Sequence, residues 1–243
     1  MFNRRFELII LWISFYSLHF GNGFYNPFLV SKSITLFWIS DAFIFVGLPI
    51  LIYWWSIKRN LFSPNEVGLC LILLSSQFPG QPQGHLRISG FDNRQPERIF
   101  LSIVIYPLLT ICLFFIAVGI SKILMRPGNI FYYAPLFSYA SVIPTSGFLK
   151  YVTTLYLATS AGIVEELFYK GILYKILVKS NKDNNTYIII SAVTFALAHF
   201  ESGSYNMLVV FIFCLLTARL YISIRTIIPL SIGHLLIDFV IFG

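Results

Sequence analysis

The sequence predicts an all-α, polytopic integral membrane protein with about seven to nine transmembrane helices, and about eight as the best single count. Two features of the composition and one feature of the residue order support this fold class. Of the 243 residues, 57% are hydrophobic and only 11% are charged, whereas a soluble domain usually carries about 25% charged residues. The third feature is that the apolar residues fall in blocks, several of which reach the length of about 20 residues that a membrane-spanning helix needs.

The clearest apolar blocks, each predicted to be one membrane helix, are residues 6–20, 34–57, 99–124, 151–178, 186–200, 206–222 and 227–242. Two further segments are ambiguous. Residues 67–79 have a length that fits a re-entrant or interfacial piece better than a full span. Residues 130–148 contain Pro135, Pro144 and several polar groups. The helix count rises from about seven to about nine if both segments cross the membrane.

We expect one membrane domain with two parts. Residues 1–147 would form the N-terminal transmembrane helices, with a polar loop at about 80–98 that is rich in Gly, Pro and Gln. Residues 148–243 would form a C-terminal helical core. The polar loop is too short to have a hydrophobic core of its own, so it is predicted to lie outside the membrane.

The net charge of +7 does not indicate nucleic-acid binding, because the basic residues lie at the ends of apolar blocks. Examples are Arg4, Arg5, Lys58 and Arg59. Residues at such positions face lipid headgroups and set membrane topology. The expected surroundings are therefore the lipid bilayer, with a prokaryotic plasma (inner) membrane as the expected location, and the sequence indicates no oligomeric state.

Ionisable side chains inside the apolar blocks need an explanation, because a charge at a helix centre costs about 2.5–3.5 kcal/mol. Three groups with such residues occur in the last third of the chain, at helical spacing: Glu165, Glu166 and Lys170, then His199 with the aromatic Phe195 one turn before it, then His234 and Asp238. Residues four apart lie on one face of a helix. Small residues nearby would let these helices approach closely, so we expect the three groups to meet in one polar pocket.

Glu165 is the residue that is hardest to explain structurally. Glu166 and Lys170 can neutralise each other on one helix face. Glu165 lies about 100° round the helix from Glu166, and no basic residue lies three or four positions away from it. It is therefore predicted to point into a cavity between helices.

Each group also has a purely structural interpretation. Glu166 and Lys170 could form an ion pair at a helix end, and His199 could be an interfacial residue. His234 and Asp238 could form an interhelical hydrogen-bonding pair. The presence of all three groups together favours a functional site.

Other polar residues in or near apolar blocks are solitary, namely His19, Asp41 and Arg219. None belongs to a group at helical spacing, so each is expected to have a structural role.

Two carboxylates and two imidazoles in a cavity screened from bulk water suit amide hydrolysis. A buried glutamate can take a proton from water at neutral pH. Histidine can orient that water or shuttle the proton, and polar donors can stabilise the negative charge that develops on the carbonyl oxygen.

The three motifs resemble those of the CAAX protease and bacteriocin-processing family, also called the CPBP or Abi family, which consists of intramembrane glutamate proteases. The family pattern is EExxxR on one helix, FxxxH on a second, and HxxxN or HxxxD on a third. Here the motifs read EELFYK at 165–170, FALAH at 195–199 and HLLID at 234–238. The resemblance covers about residues 148–243, and the order of the motifs makes it specific.

The resemblance implies catalytic roles for four residues. Glu165 would be the general base that activates water, with His199 assisting it. His234 and Asp238 would line the site and support the oxyanion. It also implies a cofactor-free reaction on a membrane-associated or lipidated protein or peptide.

The resemblance further implies three supporting roles. Glu166 and Lys170 would hold the first helix in register, and Phe195 would pack beside the site. One departure from the family pattern is Lys170, which stands where the family usually has arginine and which lacks arginine's planar bidentate grip on a carboxylate. Asp238, if ionised, would accept hydrogen bonds rather than donate them.

The leading hypothesis is an intramembrane glutamate-dependent endopeptidase, and two alternatives stay open. A zinc-dependent version of the same protease could use Glu165, His199, His234 and Asp238 as ligands, although no HExxH pair lies on one helix. A non-catalytic membrane protein, such as a bacteriocin immunity factor or a scaffold, is favoured by the lysine at position 170.

Overall fold

The computed structural model describes residues 4–69, 99–125, 133–178 and 183–243, and these ranges contain helices and no strand. We number the α-helices in chain order: α1 Arg4–Lys32, α2 Ile34–Ala42, α3 Leu48–Lys58, α4 Tyr106–Leu124, α5 Phe148–Glu165, α6 Leu173–Leu177, α7 Asn184–Ala198, α8 Gly203–Ile224 and α9 Ile228–Phe242. The predicted all-α class is confirmed.

Short π-helical segments continue several of these helices. Phe43–Gly47 joins α2 to α3, Leu101–Ile105 leads into α4, and Glu166–Ile172 joins α5 to α6. A π-helix is rare and often occurs at a functional site, because its wider turn changes the direction of neighbouring side chains. The third segment carries most of the EELFYK motif.

Three continuous helical segments, each of which joins an α-helix to the π- or 3₁₀-helical turns next to it, are long and apolar enough to cross a membrane: Ile34–Lys58, Leu101–Leu124 and Phe200–Ile224. Asn184–Ala198 and Ile228–Phe242 are shorter apolar helices. All five coincide with predicted apolar blocks, and large apolar side chains are exposed on the outer faces of most of them. The protein is an integral membrane protein, and the total of about seven to nine spans stays a prediction.

The two ambiguous segments have different outcomes. Residues 133–147 are irregular apart from the 3₁₀ turn Tyr139–Ser141, so this part of the segment predicted at 130–148 forms no spanning helix. Proline favours such irregular structure because it lacks a backbone N–H. Of the segment 67–79, only its first three residues are described, and the polar loop predicted at 80–98 lies outside the described residues.

The C-terminal helices pack closely around the site. α7 packs along α8, and α9 packs against both α5 and α4. A Cβ added at Gly162 would lie 3.0 Å from the carbonyl oxygen of Ser231, so the small side chain lets α5 and α9 approach. The predicted role of small residues in close packing is confirmed at this position.

The N-terminal helix α1 is fixed against the π-helical segment that follows α5. The rings of Phe15 and Phe168 stack with centroids 3.8 Å apart. The indole Nε1–H of Trp12 donates a hydrogen bond to the backbone carbonyl of Phe168, with 3.0 Å between the nitrogen and oxygen. These contacts place the next turn of α1, which carries His19, beside the end of α5.

Candidate active site

The carboxylate of Glu165 lies at the centre of the candidate site. Glu165 is the last residue of α5, and it is only 3% exposed. Its oxygens lie 3.5 Å from His19 Nε2, 3.8 Å from His199 Nε2 and 3.7 Å from His234 Nε2. Glu165 also lines a cavity of about 240 Å³ between the helices, which is the orientation that the sequence predicted.

Glu166 points to a different set of partners from Glu165. Lys170 Nζ donates a hydrogen bond to Glu166 Oε1 at 3.1 Å, and both side chains are fully buried. His234 Nδ1 lies 3.1 Å from the same oxygen. His234 therefore contacts both glutamates, one through each ring nitrogen. The predicted i,i+4 pair of Glu166 and Lys170 is formed.

His199 follows the last residue of α7, and its orientation is fixed by its own helix. Its Nδ1 lies 2.9 Å from the backbone carbonyl of Phe195. A carbonyl oxygen can only accept a hydrogen bond, so this geometry puts a proton on Nδ1. In neutral His199 the lone pair of Nε2 is then directed towards Glu165. His199 also lines the cavity.

Asp238 and Phe195 complete the predicted set. Asp238 lies one turn after His234 on α9, with its Oδ2 3.6 Å from His234 Nε2, and it lines the same cavity. The ring of Phe195 is 4.7 Å from that of His199 between centroids, and Lys170 Nζ lies 4.6 Å from the Phe195 centroid. The structure thus brings together all seven residues that the sequence predicted.

His19 and Asp41 are solitary in the sequence but not in the structure, where both lie at the candidate site. His19 contacts Glu165 as described, and its Nδ1 lies 2.9 Å from the hydroxyl of Tyr169. Asp41 lines the cavity and accepts a hydrogen bond from Tyr156 at 3.0 Å. Both residues come from the N-terminal part of the chain, and no local spacing in the sequence links either residue to the C-terminal motifs. Arg219, the other residue of that set, is exposed on α8.

One group of side chains within the described ranges could hold a metal ion. The ligand atoms of His19, Glu165 and His199 all lie within 4.8 Å of one another. This group shares only two residues with the zinc-ligand set that the sequence suggested. It contains His19 in place of His234 and Asp238.

A comparison with protein-family models gives a match. Residues 147–240 match the family model for type II CAAX prenyl endopeptidase Rce1-like proteins. This part of the chain is similar to an Rce1-like domain. The match confirms the predicted resemblance to CAAX proteases and spans all three motifs, whereas His19 lies outside it. Among the curated proteins and the solved structures, none matches the chain.

Proposed function

We propose that this protein is an intramembrane endopeptidase that uses Glu165 as a general base. The observation that supports this proposal best is the arrangement of Glu165 in the cavity, with three imidazoles within 3.8 Å of its carboxylate. Its Oε2 has no hydrogen-bond donor among the described residues. A carboxylate that is buried beside a cavity and only partly hydrogen-bonded is available to accept a proton from water.

The reaction would begin with a water molecule between Glu165 and the scissile carbonyl carbon. Glu165 accepts one proton as the water oxygen bonds to that carbon, and the carbonyl π electrons move to oxygen. His199 orients the water through Nε2. When the tetrahedral intermediate collapses, the C–N bond breaks and Glu165 returns the proton to the leaving amine. No acyl-enzyme intermediate is needed.

His234 and Asp238 would act at the oxyanion side of the cavity. When His234 is protonated, its Nδ1–H donates to Glu166 and its Nε2–H is available to the developing oxyanion. Asp238 lies within 3.6 Å of that nitrogen and can orient the ring. As an ionised carboxylate, Asp238 would support His234 rather than donate to the oxyanion itself.

The buried pair of Glu166 and Lys170 supports the catalytic interpretation over the non-catalytic one. Lysine replaces the family's arginine at this position, yet its Nζ makes the charge-assisted contact with Glu166 at 3.1 Å. The single hydrogen bond is enough to keep Glu166 occupied and to leave Glu165 as the carboxylate that faces the cavity.

The substrate would be a membrane-associated or lipidated protein or peptide, in keeping with the match to the Rce1-like family model, and the reaction would need no cofactor. The protein would act in a lipid bilayer, with a prokaryotic plasma membrane as the proposed location.

Cleavage of a peptide library made from a membrane fraction would test the proposal, with products identified by mass spectrometry. The test variant is Glu165→Gln, which keeps the shape of the side chain and removes its basicity. The matched control is Glu201→Gln, since Glu201 is also 3% exposed but does not line the cavity. We expect products from the parent and the control only. Equal cleavage by folded Glu165→Gln would contradict the proposal.

A further inference from the structure

Three potential metal ligands meet at one side of the cavity. His19 Nε2 and His199 Nε2 lie 3.5 Å and 3.8 Å from the same oxygen, Glu165 Oε1. Around a tetrahedral ion with metal–ligand bonds of about 2.0–2.2 Å, the ligand atoms are about 3.3–3.6 Å apart. These two separations are within about 0.5 Å of that range, and the three ligand atoms all lie within 4.8 Å of one another, so an ion would draw them closer together.

The hydrogen bonds of the two histidines favour a cation between them and Glu165. Because Nδ1 of His199 donates to the backbone carbonyl of Phe195, neutral His199 directs a lone pair towards Glu165, which as a carboxylate is also an acceptor. Two acceptors at 3.8 Å repel each other unless a proton, a water molecule or a cation lies between them.

The second ring nitrogen of His19 also has a hydrogen-bond partner on the side away from Glu165. Its Nδ1 lies 2.9 Å from the Tyr169 hydroxyl, so a proton on Nδ1 can be donated to the tyrosine oxygen, and Nε2 is then free to bind an ion. Metal-ligating histidines usually donate their second ring N–H to a carbonyl, a carboxylate or a water molecule. The backbone carbonyl behind His199 is one such acceptor, and the hydroxyl oxygen of Tyr169 can take the same part behind His19.

The ligand types indicate which ion would fit. Two imidazoles and one carboxylate are the protein ligands of many zinc sites that keep an open fourth position. Here Glu165 and His199 line the cavity, so the fourth position would open towards it. Imidazole ligands favour transition metals, whereas Mg²⁺ and Ca²⁺ prefer oxygen ligands.

We infer that His19, Glu165 and His199 form a binding site for a divalent transition-metal ion of the Zn²⁺ class. The consequence for catalysis rests on the proposed function. An ion bonded to Glu165 Oε1 withdraws electron density from the carboxylate and lowers the basicity of Oε2, the oxygen that would accept a proton from water. Metal binding would therefore inhibit the metal-free peptidase, with inhibition following occupancy.

Metal binding is measured directly on the purified, chelator-treated full chain in detergent. Zn²⁺ affinity is determined by calorimetry, and Co²⁺ serves as a probe whose visible absorption reports tetrahedral coordination. We expect one site per chain and no comparable binding of Mg²⁺. Tyr169→Phe should weaken Zn²⁺ binding by about 10–100-fold, the usual effect of losing an outer hydrogen-bond partner, and His19→Asn should weaken it further.

His85→Asn is the control, because it also removes one histidine, and His85 is not one of the three proposed ligands. It should leave Zn²⁺ affinity unchanged. Tyr169→Phe keeps the buried aromatic ring, so it remains informative even if His19→Asn fails to fold. Zn²⁺ affinity that is the same in the parent, in Tyr169→Phe and in folded His19→Asn would overturn the site, as would the absence of the Co²⁺ spectrum.

Peptide cleavage measured with increasing Zn²⁺, relative to each variant's own chelated rate, separates this inference from the proposed function. If Zn²⁺ inhibits cleavage by the parent and inhibits cleavage by His19→Asn more weakly, both the metal site and the proposed function are supported. Metal binding by a parent that never cleaves peptide would contradict the proposed function and leave the site intact. A rise in cleavage with Zn²⁺ occupancy would overturn the inhibitory role.

Discussion

Replacing Lys170 with methionine should strongly destabilise the protein, because it leaves a buried carboxylate without its cation. Lys170 and Glu166 are both fully buried and 3.1 Å apart. Methionine has a similar length and no charge. The change therefore removes the ion pair and the contact of Nζ with the Phe195 ring, while it keeps most of the packing volume.

The expected cost follows from this burial. Removing one partner of a buried ion pair typically costs about 3–5 kcal/mol, whereas replacing both partners with uncharged groups is often close to neutral. We therefore expect Lys170→Met to lower the free energy of unfolding by about 3–5 kcal/mol. The double variant Glu166→Gln/Lys170→Met should lose much less than the two single variants together, with a coupling free energy of about 3 kcal/mol.

Reversible unfolding in mixed micelles, followed by tryptophan fluorescence, would measure these free energies for the parent and the three variants. Lys122→Met is the matched control, because Lys122 is an exposed lysine near the end of α4. It should change stability by less than about 0.5 kcal/mol. If Lys170→Met costs no more than the control, or if the two single effects simply add in the double variant, the assignment of a tightly coupled buried pair is refuted.

Two further predictions concern the 3₁₀ turn Pro64–Val67, which follows α3. A Cβ in Gly171→Ala would collide with the backbone carbonyl oxygen of Val67, so we expect a loss of about 1–3 kcal/mol in unfolding free energy. The control Gly119→Ala, where an added Cβ meets nothing within 4 Å, should show no loss. Partial burial raises the pKa of Glu66, but hydrogen bonds from Lys175 and from a backbone N–H outweigh it, so the pKa lies below its ordinary value of 4.5. Because the folded pKa is the lower one, this stabilisation is complete above pH 4.5 and is lost as the pH falls below it. The pair is partly exposed, so parent and Glu66→Gln should differ by about 0–1 kcal/mol at neutral pH, with the difference vanishing on acidification; a difference that widens at low pH would contradict this.

The parts of the fold and site that could be predicted from the sequence are those set by local geometry. Apolar blocks of sufficient length predict helices, and residues four apart share a helix face. These rules are enough to place Glu166 beside Lys170 and His234 beside Asp238. The helix predicted over residues 6–20 is too short, because α1 runs from Arg4 to Lys32 and includes polar residues after position 20.

Tertiary packing explains why α1 is longer than predicted. Asn22 is 2% exposed and donates a hydrogen bond to the Tyr139 hydroxyl at 2.6 Å. A buried polar group of this kind is stabilised by a partner far away in the sequence. A prediction from hydropathy alone therefore ends the apolar helix at such a residue.

The role of His19 could not be predicted for the same reason. Its position beside Glu165 depends on the stacking of Phe15 on Phe168 and on the contact with Tyr169, which join residues about 150 positions apart. Helical periodicity contains no information about such contacts. The π-helical segment Glu166–Ile172 could not be predicted either, because its residues fit the ordinary α-helical period equally well.

The rate at which one peptide from the library is cleaved under single-turnover conditions tests most directly whether Glu165 activates water. The parent, Glu165→Gln and Glu201→Gln would be compared with chelator present, after each is shown to be folded. We expect Glu165→Gln to be slower by about 10²–10⁴-fold, the usual contribution of a general base, and Glu201→Gln to match the parent. A Glu165→Gln rate equal to that of the parent would contradict general-base catalysis by Glu165.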